Sequence, residues 1–235
     1  MKKLFTLLAL TITFSMNAQV STNSTSPTGI YASAMGNGTT ASGNESTAMG
    51  YDTTASGEAS TAMGYSTTAS AQGSTAMGRG TTASGNVSTA MGYSTTASDY
   101  ASLVIGQYNS SGSSATSANS FSTSAPAFVI GNGTASNAKS DAFKVMFNGD
   151  ATVSNDLTVS GDVVVSSDAR LKSNIVSLGS TLSRLLLIDG KSYTMTKDGK
   201  QKIGVLAQEI KEVFPELVSE DDNEMLAVNY QGLVP

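Results

Sequence analysis

Residues 46–64 read STAMGYDTTASGEASTAMG, and the five letters STAMG return at 74–78 and 88–92. Aligned on the Met-Gly pair, Met35, Met49, Met63, Met77 and Met91 stand fourteen residues apart, Ile105 of SLVIG takes the next place, and each is followed by glycine. Within a unit, STAMG and TTASG are two short β-compatible runs. Gly50, Gly57, Gly64, Gly78, Gly85 and Gly92 mark the corners, where a turn needs positive φ or close backbone approach. Two strands and two turns in each period describe one coil of a β-solenoid, with coils stacked about 4.8 Å apart.

Side-chain alternation puts Thr47 and Met49 on one face of a strand and Ala48 with Gly50 on the other. The methionine column is the expected buried stripe, so aspartates at Met63 and Met77 are expected to abolish folding. Each coil has little else to bury. Apolar burial returns about 25 cal/mol per Å², against about 1–2 kcal/mol of backbone entropy for each ordered residue. A lone coil of this composition does not balance, and association of chains is the expected remedy.

Composition narrows the function classes. The 235 residues are 39% hydrophobic and 6% aromatic, with no Trp, His or Cys and a net charge of −5. Between residues 20 and 138 the charged residues are Glu45, Asp52, Glu58, Arg79 and Asp99. That leaves no basic stripe for a phosphate backbone, so nucleic acid is not an expected partner. Disulfides are impossible without cysteine. The sequence has no G-G-x-G-x-D nonapeptide, paired carboxylates, phosphate loop or metal cluster, so no cofactor, metal or external substrate is expected. Stacked threonines at Thr53, Thr67, Thr81 and Thr95 raise an ice-binding alternative. Each has a threonine neighbour, however, and the pair points to opposite faces rather than forming a flat array.

The N-terminal MKKLFTLLALTITFSMNAQV has two lysines, an apolar run from Leu4 to Phe14 and a small-residue site ending at Ala18. This is the layout of a secretory signal peptide over 1–18, followed by a linker over 19–30. A secreted or cell-surface protein is expected, with no membrane span in the mature chain.

The repeat, STAMGYDTTASGEA over 46–59 and its copies within 31–106, resembles the head repeat of YadA-like trimeric adhesins. Met stands where that family prefers Ile or Val, and no counterpart of the family's membrane-anchoring barrel is found. The resemblance implies a homotrimer of parallel β-rolls that presents a surface for a cell-surface or matrix ligand.

Residues 107–165 begin as low-complexity sequence and resume strand alternation in ATVSNDLTVSGDVVV (151–165), similar to the intertwined β-stalks of phage-fibre-like proteins. After Val165 the composition changes, and eight of the thirteen Lys and Arg residues lie from Arg170 onward. Helical patterns occur in STLSRLLLI (180–188) and in VLAQEIKEVF (205–214). In the second, Leu206, Ile210, Val213 and Phe214 form one stripe ended by Pro215. A hairpin turning at Asp198-Gly199 is expected between them.

SSDARLKSNI (166–175) places Lys172 five residues after Ser167. Taken alone, the stretch reads as a helix N-cap rather than a nucleophile. SDARLKSNI, IGVLAQEIKEVFPELV and LAVNYQGLVP, in that order, together resemble the endosialidase-type intramolecular chaperone domain, a self-cleaving serine peptidase. The resemblance covers 166–235. It implies a domain that trimerises, guides folding of the β-fibre ahead of it, and then cuts once, in cis, before the motif serine. Carried onto this chain, Ser167 is the nucleophile, Lys172 its general base and Ser166–Ser167 the bond cut. With no histidine present the base must be lysine or carboxylate, and a lysine serves when desolvated. Asp168 and Arg170 are read as a cap and its ion-pair partner. In the family VNY opens a long trimerising helix, whereas this sequence stops at Pro235, which is expected to weaken trimerisation and cleavage.

The expected architecture is mainly β. A fourteen-residue-repeat β-solenoid forms a trimeric β-roll, continues as a β-stalk and ends in a small α+β chaperone domain. The expected function is that of a secreted trimeric fibre or adhesin-like surface protein with an autoproteolytic terminal domain; the alternative is a non-cleaving structural trimer.

Overall fold

The computed structural model describes residues 22–221 and 224–233, so the signal peptide expected over 1–18 lies outside the described residues. The chain divides into two units, Met1–Gly161 and Asp162–Pro235.

The first unit is the β-solenoid. Each repeat contributes one long and one short strand, such as Thr47–Tyr51 with Thr54–Ala55, then Thr61–Tyr65 with Thr68–Ala69. Every neighbour pair is parallel and in register with the repeat, Ala48 against Ala62, Met49 against Met63, and Thr54 against Thr68. The long strands form one face of a ten-stranded sheet and the short strands a separate six-stranded sheet. Identical residues therefore stack in columns, and the fourteen-residue period sets the register by itself.

The interior corrects the sequence expectation. Ala48, Ala62, Ala76 and Ala90 on the long strands, and Ala55, Ala69 and Ala83 on the short ones, are fully buried, whereas Met49 is 37% exposed. The interior column is built from small side chains, Ala along the repeats and Val at Val104 and Val129, so the alanine face turns inward and the methionines point out. Thr53, Thr67, Thr81 and Thr95, the columns of the ice-binding alternative, are buried inside the coil as well. Several of these interior hydroxyls, Thr53 Oγ1, Ser60 Oγ and Thr67 Oγ1 among them, have no hydrogen-bond partner.

Backbone geometry explains the glycines. Gly64 sits within a long strand at φ +124°, and an added Cβ would lie 2.0 Å from the Gly78 carbonyl oxygen. Gly57 lies at a turn, where the same atom would meet the Ala71 oxygen at 1.9 Å. The corners expected at Gly50, Gly64, Gly78 and Gly92 fall inside long strands instead, and several turns place non-glycine residues at positive φ. Glu45, Asp52, Ala59, Ser66 and Val87 all have φ between 51° and 60°. On the outer face the Tyr51 and Tyr65 rings stack at 4.9 Å, and the Arg79 guanidinium lies 5.4 Å from Tyr65 and 5.5 Å from Tyr93.

The roll extends beyond residue 106. Pro126–Asn132 pairs in parallel with Leu103–Gln107, placing Ile130 against Ile105, so FVIGN is a further long strand reached after an excursion. Within that excursion the buried Asn109 acts as a substitute strand. Its Oδ1 accepts from Thr96 N at 2.8 Å and its Nδ2 donates to Thr96 O at 2.9 Å. Antiparallel strands Asp141–Met146 and Ala151–Val153 complete the sheet. The stalk strand expected through Val165 ends at Val153, and Val163, Val164 and Val165 are exposed. Strand alternation without a ladder partner in the same chain leaves backbone groups unpaired, which ends the strand there.

The second unit is small and α+β. A hairpin pairs Lys191–Thr194 with Gln201–Gly204 around Gly199 at φ +70°, as the Asp-Gly signal requires. Helix Ala207–Val213 buries Ile210 and is followed by buried Phe214, and Pro215 starts the next 3-10 turn. The helix expected over 180–188 is one turn, Leu182–Leu185. Its Arg184 stacks over the Phe214 ring at 4.1 Å and donates from Nε to Val213 O at 3.2 Å, satisfying the C-terminus of the longer helix. A second hairpin, Val218–Glu220 with Leu226–Val228, leads into a 3-10 turn at Tyr230–Leu233.

Candidate functional site

The motif SSDARLK folds into a capped turn. Asp168 precedes the 3-10 turn Ala169–Leu171, and its Oδ1 accepts from Arg170 N at 2.8 Å. The same carboxylate takes a two-pronged contact from the Arg170 side chain, Nε at 3.0 Å and Nη2 at 2.7 Å. The turn is closed by Leu171 N to Asp168 O and Lys172 N to Ala169 O, both 3.1 Å. Its effect is to fold the chain back, so that Lys172 Nζ lies 2.7 Å from Ser167 Oγ and donates to it.

The charges are local. Arg170 holds the Asp168 carboxyl below the usual carboxylate range, first through its side-chain contact and then through its backbone N–H. Asp168 in turn raises the Arg170 guanidinium. Neither touches Ser167 or Lys172 through a hydrogen bond, which fits the cap and ion-pair reading. Elsewhere in the unit Lys191 is raised by Asp189 and then by Glu209, at 2.6 and 3.1 Å.

Ser166, Ser167 and Lys172 border an open groove whose other wall is formed by Asn229, Gln231 and Gly232. The groove thus joins the first and third of the motif segments within the second unit. Ser167 and Lys172 are both exposed in the chain. The structure brings together the sequence-predicted nucleophile and base; it also adds Asn229 and Gln231, to which sequence reasoning assigned no role. Their signal was the segment LAVNYQG itself, with nothing in the letters to say which side chain faces the serine.

Residues 167–219 match the family model described as chaperone of endosialidase. The match begins at Ser167 and stops before the second wall of the groove. Residues 28–53, 55–81 and 83–109 each match the model of the YadA head domain repeat, two copies in length. The chain therefore combines YadA head repeats with an endosialidase chaperone segment, as the sequence resemblances imply. No curated protein and no solved structure matches the chain. Among the described residues no helix is long and apolar enough to cross a membrane.

Proposed function

We propose that the protein is a secreted trimeric fibre or adhesin-like surface protein whose terminal unit drives trimerisation and folding and then releases itself by cleavage before Ser167. The observation that carries this reading is the 2.7 Å contact between Lys172 Nζ and Ser167 Oγ, at the first residue of a chaperone segment that follows the β-roll in the sequence.

The chemistry is one turnover in cis. Uncharged Lys172 takes the proton of Ser167 Oγ, and the oxygen attacks the carbonyl carbon of Ser166. The tetrahedral oxyanion collapses as the Ser166–Ser167 C–N bond breaks, and the lysine ammonium returns its proton to the departing amine. An ester then joins the Ser166 carbonyl to Ser167 Oγ. Water hydrolyses it to a Ser166 carboxylate and a free Ser167 hydroxyl.

Trimerisation is supported by two surfaces. The outer face of the long strands carries the half-exposed methionine column, and the terminal unit leaves Val176, Leu178, Leu186 and Ile203 more than two-thirds exposed. The test is intact-mass analysis and sedimentation of the whole protein. A trimer is expected, with pieces meeting at Ser166/Ser167, and Ser167→Ala or Lys172→Ala should leave it uncut. Ser166→Ala and Ser173→Ala should cut normally. A monomer with full β content would refute the trimer, and an uncut wild-type trimer would reduce the terminal unit to an assembly module.

A further inference from the structure

We infer that Asn229 supplies the oxyanion contact for cleavage at Ser166–Ser167, donating from Nδ2 to the Ser166 carbonyl oxygen as the tetrahedral intermediate forms. The inference rests on the Ser167/Lys172 reading and extends it to a residue outside the segment matched by the chaperone model. A serine–lysine pair provides a nucleophile and a base, but neither group stabilises the negative charge that develops on the attacked carbonyl oxygen. That charge needs a fixed hydrogen-bond donor on the opposite side of the carbonyl from the base.

Two residues with side-chain amides, Asn229 and Gln231, line the same groove as Ser166, Ser167 and Lys172. They differ in how they are held. The Asn229 backbone N–H donates to Leu217 O at 2.8 Å, anchoring the residue to the 3-10 turn Pro215–Leu217. Its Oδ1 accepts from Gly232 N at 3.2 Å, a donor that also reaches the Asn229 carbonyl oxygen at the same distance. Because the partner is a backbone N–H, the oxygen end of the amide is the one committed, and both Nδ2 hydrogens are left for the groove. Asn229 is thus a pre-oriented donor on an anchored turn, which is what an oxyanion contact requires, whereas nothing comparable holds Gln231.

The step balances without another reactant. Asn229 neither gains nor loses a proton, and its hydrogen bonds shorten as the Ser166 oxygen becomes an anion, then relax when the carbonyl re-forms in the ester. The same donor serves the second tetrahedral intermediate, when water attacks that ester.

The experiment follows single-turnover cleavage of the whole protein by mass spectrometry, comparing wild type with Asn229→Ala, Asn229→Asp, Gln231→Ala and Ser167→Ala. Loss of one oxyanion donor should slow cleavage about 10²- to 10³-fold. Asn229→Asp retains the Gly232 acceptor and the side-chain volume while removing the donor. It should therefore trimerise as wild type does and cut as slowly as Asn229→Ala. Gln231→Ala should cut within about threefold of wild type. If either Asn229 variant folds and cuts at the wild-type rate, the inference is overturned while the dyad stands. An uncut wild type, or a cut Ser167→Ala, overturns the dyad itself. Should both Asn229 variants fail to trimerise, Asn229 is a structural residue and the assignment is likewise overturned.

Discussion

The two units of the chain solve the same problem in opposite ways. In the roll each coil is the template for the next. Ala48, Ala62 and Ala76 follow one another at full burial, and the outward side chains left uncovered include Met49, Tyr51, Tyr65 and Val87. In the terminal unit the buried apolar side chains are Ile210 and Phe214, while Ile203 and Leu186 stand largely in solvent and polar contacts such as Arg184 over Phe214 hold the elements together. The roll carries its own core along its axis and lacks only a lateral cover. Among the described residues the terminal unit has a much smaller core, and under the proposed function further copies of the unit would cover its exposed apolar side chains. The difference teaches where a mutation acts: on the coil interior it is expected to unfold the roll, whereas on the outer faces it is expected to act on the proposed association.

The largest expected effect separates two neighbouring residues on one strand. Ala62→Asp puts an unpaired carboxylate into a fully buried column with no room and no partner, and should cost at least about 4 kcal/mol, enough to lose the roll. Met63→Asp places its charge on the outer face. It should leave the coil interior intact and act on association, giving soluble, β-rich monomers by circular dichroism and sedimentation. If Met63→Asp unfolds the roll as completely as Ala62→Asp, the distinction between interior and outer face is wrong.

A smaller effect compares one glycine from each unit. Gly64 combines φ +124° with a carbonyl 2.0 Å from the position of a Cβ, whereas Gly199 has φ +70° and open space around it. Gly199→Ala should cost about 1–2 kcal/mol, the strain of a left-handed alanine. Gly64→Ala adds displacement of the next coil, and should cost about 3 kcal/mol or more. Thermal unfolding of the two variants orders them; equal losses would mean that the coils separate more easily than their stacking geometry implies.

Much of this was legible in the letters, and the failures have physical causes. The period, the parallel coils and the Asp198-Gly199 hairpin follow from spacing and turn chemistry. The direction of the strand faces did not, because alternation identifies two faces without saying which is inside. Methionine is the more apolar choice, but the interior is filled by small side chains, alanine, serine, threonine and, at Val104 and Val129, valine. The continuation at Phe128–Asn132 was hidden by an excursion that breaks the period, although VIG at 129–131 repeats VIG at 104–106. At the site, the spacing of Ser167 and Lys172 is local and a single capped turn realises it. Asn229 reaches the same groove only through the tertiary path of the unit, which no spacing records.

The smallest expected effect tests whether the terminal unit relies on its polar caps. Asp168 accepts from Arg170 N and from the Arg170 side chain, and these contacts lower its folded carboxyl below the ordinary value of about 3.9. A depressed carboxylate stabilises the fold fully above its unfolded value, and the contribution is lost as pH falls through the folded value. Asp168→Asn keeps the shape and one acceptor but removes the charge. Thermal unfolding of wild type and Asp168→Asn should therefore differ by a constant amount from pH 7 down to about pH 5, and the gap should close below about pH 4. Because the other titrating groups are common to both proteins, the difference isolates this carboxyl. The gap should be well below that of Gly199→Ala, since the pair is open to solvent and screened by salt. Raising the salt concentration at pH 7 should narrow it further. The absence of any gap at pH 7 would mean that Asp168 acts through shape alone, and that the turn holding Lys172 beside Ser167 is set by its backbone bonds rather than by its charges.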